Sequence, residues 1–369
     1  MGFRFEKFER KYNFYLPDAY KLLVTELGDG YILGNCEFFP AADFIENNLR
    51  LGGAMEINLF PFGCLENGDC FCFLKYGETS GEYYVVLWLS ETYNYIILNS
   101  TFDNFIYNCL VQEYKALLFP EEYLYEGTRE EYQECMDKVD DICSLFDYDK
   151  NEILNAKCEK DLNELILNRD PFAVQSLCIK ANSIIDENEA LGVKYLARAN
   201  AFSPKYTAPY YILGKHLFYK NKGEALAILF KGAKTPIAAS GYSYWQEDDI
   251  GVPYYVIGEI FDIINDNADF YNAECVDKTF MNFVKQNEPY DPEFRLALSQ
   301  EYLNDKKYEE AIRELNNAMI LTDDCNLKMR ILEELIPIYN KIGLVWAEGI
   351  CRKDIKYIKV LNRGRMFYQ

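Results

Sequence analysis

The residues best suited to chemistry are a single histidine, His216, and twelve cysteines. Imidazole-based catalysis places a His beside a Ser or Cys nucleophile, and structural zinc takes paired Cys or His at short, repeated spacing. His216 lies between Lys215 and Leu217 in a stretch of helical period, and reads as structural or solvent-facing. The cysteines are scattered at 36, 64, 70, 72, 109, 135, 143, 158, 178, 275, 325 and 351, without a C-x-x-C. The closest group, Cys64, Cys70 and Cys72, lacks an evident fourth ligand. The expectation is reduced, mostly buried thiols in a cytoplasmic protein, with no metal. There is no G-x-S-x-G, P-loop, H-E-x-x-H, or G-x-G-x-x-G after a strand. Gly28-Asp29-Gly30 is too short to cradle a phosphate, Asp69 reads as a turn cap, and Glu247-Asp248-Asp249 reads as a solvated acidic loop. The residues therefore predict no catalysis and no cofactor.

The 369 residues carry 59 acids against 38 bases, for a net charge of -21. Half are hydrophobic and 16% aromatic, enough for a sizeable core. The acidity argues against a nucleic-acid partner, since Lys and Arg supply most phosphate-backbone affinity. The basic segment 351–369 holds six bases and one acid, and reads as a terminal capping helix whose cations favour its C-terminal end. The opening MGFRFEKFER lacks the apolar run of a signal peptide, and no stretch approaches the roughly 18 residues of a membrane span, so neither export nor a membrane is expected.

Residues 1–119 mix short helices with β-rich runs. Helical spacing predicts helices over Phe3 to Lys11, Pro17 to Leu27 and Ala41 to Leu51, with Gly28-Asp29-Gly30 and Gly52-Gly53 as stops. Strands are predicted over Ile57 to Phe62, Cys70 to Lys75, Tyr83 to Leu89 and Tyr93 to Leu98. Their separations are too short for crossover helices, so the sheet should be an antiparallel meander. Ser100-Thr101-Phe102-Asp103 signals the N-cap of a helix running to Leu118. The first domain is therefore α+β, an antiparallel sheet with packed helices.

Residues 120–169 read as an acidic helical connector. From 170 to 369 no strand signal remains, and a spacing recurs. Tyr210, Leu213, Gly214, Leu217 return as Tyr254, Ile257, Gly258, Phe261, then as Arg295, Leu298, Ser299, Tyr302 and Leu332, Leu335, Ile336, Tyr339. Gly192, Leu196, Ala199 match Ala311, Leu315, Ala318 as a second half-unit. This pattern resembles tetratricopeptide repeats, antiparallel helix pairs whose small residues let the helices approach closely. Four to five pairs in an irregular all-α solenoid are expected, with an insertion over Pro236 to Val252 and a poor first helix in the unit at 171–204.

The first domain also carries an ordered set of residues. Leu16-Pro17, Tyr20 and Leu23 precede Gly28-Asp29-Gly30. Pro61-Phe62-Gly63 precedes Gly68-Asp69, Phe71 and Phe73. Val85 and Trp88 follow, then Ser100, Phe102, Phe105 and Ile106. The set resembles the SUKH superfamily, which includes yeast cell-wall regulators and bacterial immunity proteins. The resemblance implies a non-catalytic bacterial protein that binds and neutralises a toxin domain, many of which are nucleases with basic faces. An acidic chain would be steered to such a face. The alternative is a cytosolic scaffold or adaptor whose repeats bind a peptide or host protein. The repeat register turns Tyr211, Lys215, Phe218, Tyr255, Glu259, Asp262, Gln300 and Glu333 to the inner face, where a partner would bind. In the first domain Asp69, Trp88 and Glu91 are the candidate partner contacts.

Overall fold

The computed structural model describes residues 5–12, 14–28, 30–39, 55, 58–65, 68–75, 82–89, 94–118, 128–233, 235, 256–267 and 292–365. The first domain begins with helices α1 (Phe5–Tyr12) and α2 (Asp18–Leu27). Pro17 occupies the N-cap of α2, and Gly28 closes it at φ 87°, a left-handed conformation that glycine adopts without a Cβ penalty. Six strands follow: β1 (Ile32–Leu33), β2 (Cys36–Phe38), β3 (Leu59–Cys64), β4 (Cys70–Leu74), β5 (Tyr84–Leu89) and β6 (Asn94–Asn99). They pair antiparallel in chain order, β1 to β6. This is the expected meander with two strands added at one edge. With two and three residues, β1 and β2 are too short to show an alternation. The helix expected over Ala41 to Leu51 lies outside the described residues.

Strand β3 runs two residues past its expected end because Gly63 permits a close approach. A Cβ there would lie 2.5 Å from Cys36 Sγ and 3.1 Å from the Glu37 carbonyl oxygen. The register shifts between Pro61 and Gly63. Such a bulge lets a proline, which has no N–H to donate, occupy an inner strand.

Both faces of the sheet are buried. On one, Phe62, Phe71 and Phe73 meet helix α3 (Phe102–Leu118) and Tyr20 of α2, while Phe60 stacks on Phe14. Ring centroids stand 4.4 Å apart for Phe62–Phe73, 5.1 Å for Phe62–Phe102 and 4.8 Å for Phe71–Phe105. The other face gathers Leu59, Cys70, Cys72, Leu74, Val86, Trp88 and Tyr95. Sequence alternation anticipated only the first.

Helix α3 is buried almost all round because further helices cover its far side. The Thr101 hydroxyl accepts from the Asn104 amide at 3.2 Å and caps it. Beyond it come α4 (Arg129–Phe146), α5 (Lys150–Leu154) and α6 (Glu159–Arg169). Helix α4 starts on a capping box, in which Thr128 Oγ1 accepts from the Glu131 amide while Glu131 accepts from the Thr128 amide.

The helical pairs are α7 (Val174–Ile184) with α8 (Glu189–Phe202), and α9 (Ala208–Phe218) with α10 (Lys222–Gly232). Then come α11 (Val256–Asn265), α12 (Pro292–Asn304) with α13 (Tyr308–Leu321), and α14 (Cys325–Lys341) with α15 (Val345–Arg365). The unit expected to have a poor first helix has a regular one, α7. Gly214 falls where α9 touches α10: a Cβ there would lie 2.5 Å from Leu229 Cγ. One apolar core runs without a break from Phe8 through the sheet and α3–α10 to Ile264, and a second joins α12–α15.

Candidate functional site

The register of the helical pairs places equivalent positions of neighbouring units side by side. Lys215 on α9 and Glu259 on α11 hold the same place in successive units, and their side chains pair at 2.7 Å. The Lys215 ammonium also lies 5.4 Å from the centroid of the Tyr211 ring, within cation–π range. Tyr211 is buried, and its hydroxyl donates to Glu259. Burial first, then that hydrogen bond, pushes the Tyr211 phenol up. Partial burial pushes Glu259 upward, but the hydrogen bonds from Lys215 and Tyr211 outweigh it and hold the carboxyl below its usual range. The result is a partly exposed, ionised pair seated on an aromatic ring, suited to recognising polar groups of another protein.

Phe218, two turns on from Tyr211, is half-buried and packs edge-on to Tyr219 at 5.5 Å, with Lys222 Nζ 5.4 Å from its centroid. Asp262 is exposed on α11, and Gln300 and Glu333 are exposed on α12 and α14. Tyr255 and Glu91 lie outside the described residues. In the first domain, Asp69 and Trp88 are interior. Asp69 is 3% exposed in the β3–β4 turn, where its carbonyl accepts from the Leu65 amide at 2.9 Å. Trp88 packs in the second face of the sheet.

His216 is committed to its surroundings. Nδ1 stands 2.9 Å from Asp186 and Nε2 3.2 Å from Glu189, while Lys220 Nζ lies 2.6 Å from Glu189. The hydrogen bond from Lys220, then that with His216, holds the Glu189 carboxyl below its usual range. Eight of the eleven described cysteines are buried: 36, 70, 72, 109, 135, 143, 178 and 351. Burial pushes the Cys70 thiol up to about 12 and the half-buried Cys64 thiol up as well. Among the described residues no group of His, Cys, Asp and Glu is arranged to hold a metal ion, and no helix is long and apolar enough to cross a membrane.

Sequence reading missed the joint between sheet and helices. Asp170, 1% exposed and just after α6, accepts from Asn99 Nδ2 at 3.1 Å, the Ser100 amide at 3.0 Å and Ser100 Oγ at 2.9 Å. Beside it, Arg169 donates to Asp103 at 2.6 Å and stacks over Tyr107 and Tyr148 at 4.9 and 4.3 Å. Glu113 of α3 accepts from the Gly34 amide at 2.7 Å and Lys138 of α4 at 3.0 Å. Asp103 and Arg169 lie 66 positions apart and Ser100 and Asp170 lie 70 apart, so no local signal exists for these contacts.

The architecture is thus an α+β domain of six antiparallel strands, bonded by buried polar contacts to a helical region. The comparison with known families agrees with the first half of that description: residues 4–108 match the SMI1 / KNR4 family (SUKH-1). The N-terminal domain is therefore a SUKH-1 domain, and a helical region follows it. No curated protein matches the chain.

Proposed function

We propose that this is a non-catalytic binding protein of immunity type, which occupies a toxin domain and neutralises it by contact. The observation that carries the reading is the SUKH-1 match over residues 4–108 on a domain bonded through Asp170 to helical pairs. The helical pairs are read as a tetratricopeptide-like solenoid, and the chain as a bacterial cytoplasmic protein. The inner-face group Tyr211, Lys215, Phe218, Glu259 and Asp262, with Gln300 and Glu333 further along, is the proposed contact surface. A charge of -21 steers it toward the basic face of a nuclease. Asp69 and Trp88 are proposed to support the first domain's contact surface from within.

The test is capture of the tagged chain from its own cells at low salt, with the bound proteins identified by mass spectrometry. The reading expects a stoichiometric basic toxin domain, released by high salt and lost when Glu259→Lys is combined with Asp262→Lys. Capture of diverse host proteins with the same dependence on Glu259 and Asp262 would replace the toxin reading with a scaffold or adaptor. The Lys215–Glu259 pair on the first helices of two units is the feature that would serve such an adaptor.

A further inference from the structure

A second surface differs from the inner face in location and charge. Helix α8 carries Leu191, Lys194, Arg198 and Phe202, which fall within about 80° of one another at 100° per residue. Its only acid, Glu189, lies on the opposite side, held by His216 and Lys220. Lys194 is exposed, and among the described residues neither it nor Arg198 has a carboxylate partner; Arg198 Nη1 donates instead to the Pro171 carbonyl at 3.3 Å. Lys205, three residues past the helix, lies 4.3 Å from the Tyr95 ring centroid.

Phe202 joins this basic stripe to two aromatics from elsewhere in the fold. Its centroid is 5.2 Å from Tyr84 of β5 and 5.3 Å from Phe172 in the α6–α7 connection. Tyr84 and Phe172 are each 46% exposed, and Leu191 is 37% exposed. Isolated exposed apolar residues are ordinary, but a ring ladder built from a strand, a loop and a helix is a contiguous surface. Aromatic rings beside arginine are the residues that anchor protein interfaces.

We infer that this surface docks an acidic segment of a partner protein that carries an aromatic residue. Charge complementarity selects the occupant: the stripe is cationic in a chain of -21, so an acidic segment is drawn to it. The exposed rings seat the aromatic side chain. A nucleic acid would also present anions and rings, but its continuous phosphate backbone would meet the negative charge of the body beyond a few cations. The surface is independent of the inner face around Tyr211 and Glu259, and the variants that test it leave that face untouched.

The experiment is fluorescence anisotropy on the full chain with three labelled probes: a peptide rich in Asp and Glu with two Trp, the same peptide with Lys replacing the acids, and oligo(dT). Saturable binding of the acidic peptide is expected, weakening as salt rises. Arg198→Glu with Lys194→Glu should weaken it by at least about tenfold, equivalent to about 1.4 kcal/mol. Phe202→Ala should do the same. The Arg198 and Lys194 changes are at the surface, so an unchanged circular dichroism spectrum and melting temperature show that the fold is kept if Phe202→Ala proves unstable. Absence of saturable binding overturns the inference. So do equal binding of the Lys peptide, tighter binding of oligo(dT), or charge-reversed variants that bind like the wild type.

Discussion

Asp170→Ala removes the carboxylate that bonds the SUKH-1 sheet to the helical region. The wild-type side chain accepts from Asn99 Nδ2, the Ser100 amide, Ser100 Oγ and the Phe172 amide, at 2.9 to 3.1 Å. Asn99 is fully buried, so its amide group is stranded when the acceptor goes, at about 1–3 kcal/mol. Bonds to an ionised group contribute about 1.5–3 kcal/mol each, and removing one partner from a buried charged cluster costs about 3–5 kcal/mol in all. That is a large part of the roughly 5–15 kcal/mol that holds a domain folded. Asp170→Asn should cost less, about 1.5–3 kcal/mol. Ser100 Oγ can turn to accept from the new NH2, which leaves the Phe172 amide as the donor without an acceptor. Urea unfolding followed by tryptophan fluorescence measures both variants, and hydrogen exchange locates the loss. The greatest loss of protection is expected at β6 and α7. A change below about 1 kcal/mol for Asp170→Ala would refute the reasoning.

Other expectations follow from the same contacts. Gly192→Ala would bring a Cβ 2.8 Å from the Ile185 Cα, which is backbone, whereas Gly214→Ala meets the movable Leu229 side chain at 2.5 and 2.6 Å. Both should destabilise by about 1–3 kcal/mol, Gly192→Ala the more, as read by thermal unfolding. Burial pushes the Asp354 carboxyl up to about 6, so the native state holds its proton more tightly than the unfolded chain. Stability should therefore fall as pH rises from about 4 toward 6, and Asp354→Asn should flatten that part of the pH profile in urea titrations. A thiol reagent on the native protein should label the exposed Cys158 and the half-exposed Cys64 and Cys325 before the eight buried thiols. Fast labelling of Cys36 or Cys72 by peptide mapping would contradict the buried-thiol core.

What the sequence made legible was local. The four long strands declare themselves through alternation and turn residues, as in Phe71 and Phe73 against Cys70 and Cys72. Recurrence at fixed spacing put Lys215 and Glu259 in equivalent places 44 residues apart, and they meet. What it hid was short or distant. β1 and β2 are below the length at which a period shows, and Asp170 finds Ser100 across 70 residues. The ring ladder of Tyr84, Phe172 and Phe202 joins three segments that no spacing rule connects. Trp88, a candidate partner contact by its place in the ordered set, packs in the buried second face of the sheet.

Titration of a captured toxin domain's activity with the purified chain tests the central claim most directly. If the chain neutralises by occupation, the toxin's activity should fall linearly with added chain and reach zero at an equimolar ratio, independent of incubation time. Inactivation by far less than an equimolar amount, growing with time, would mean turnover and would contradict a non-catalytic binding protein.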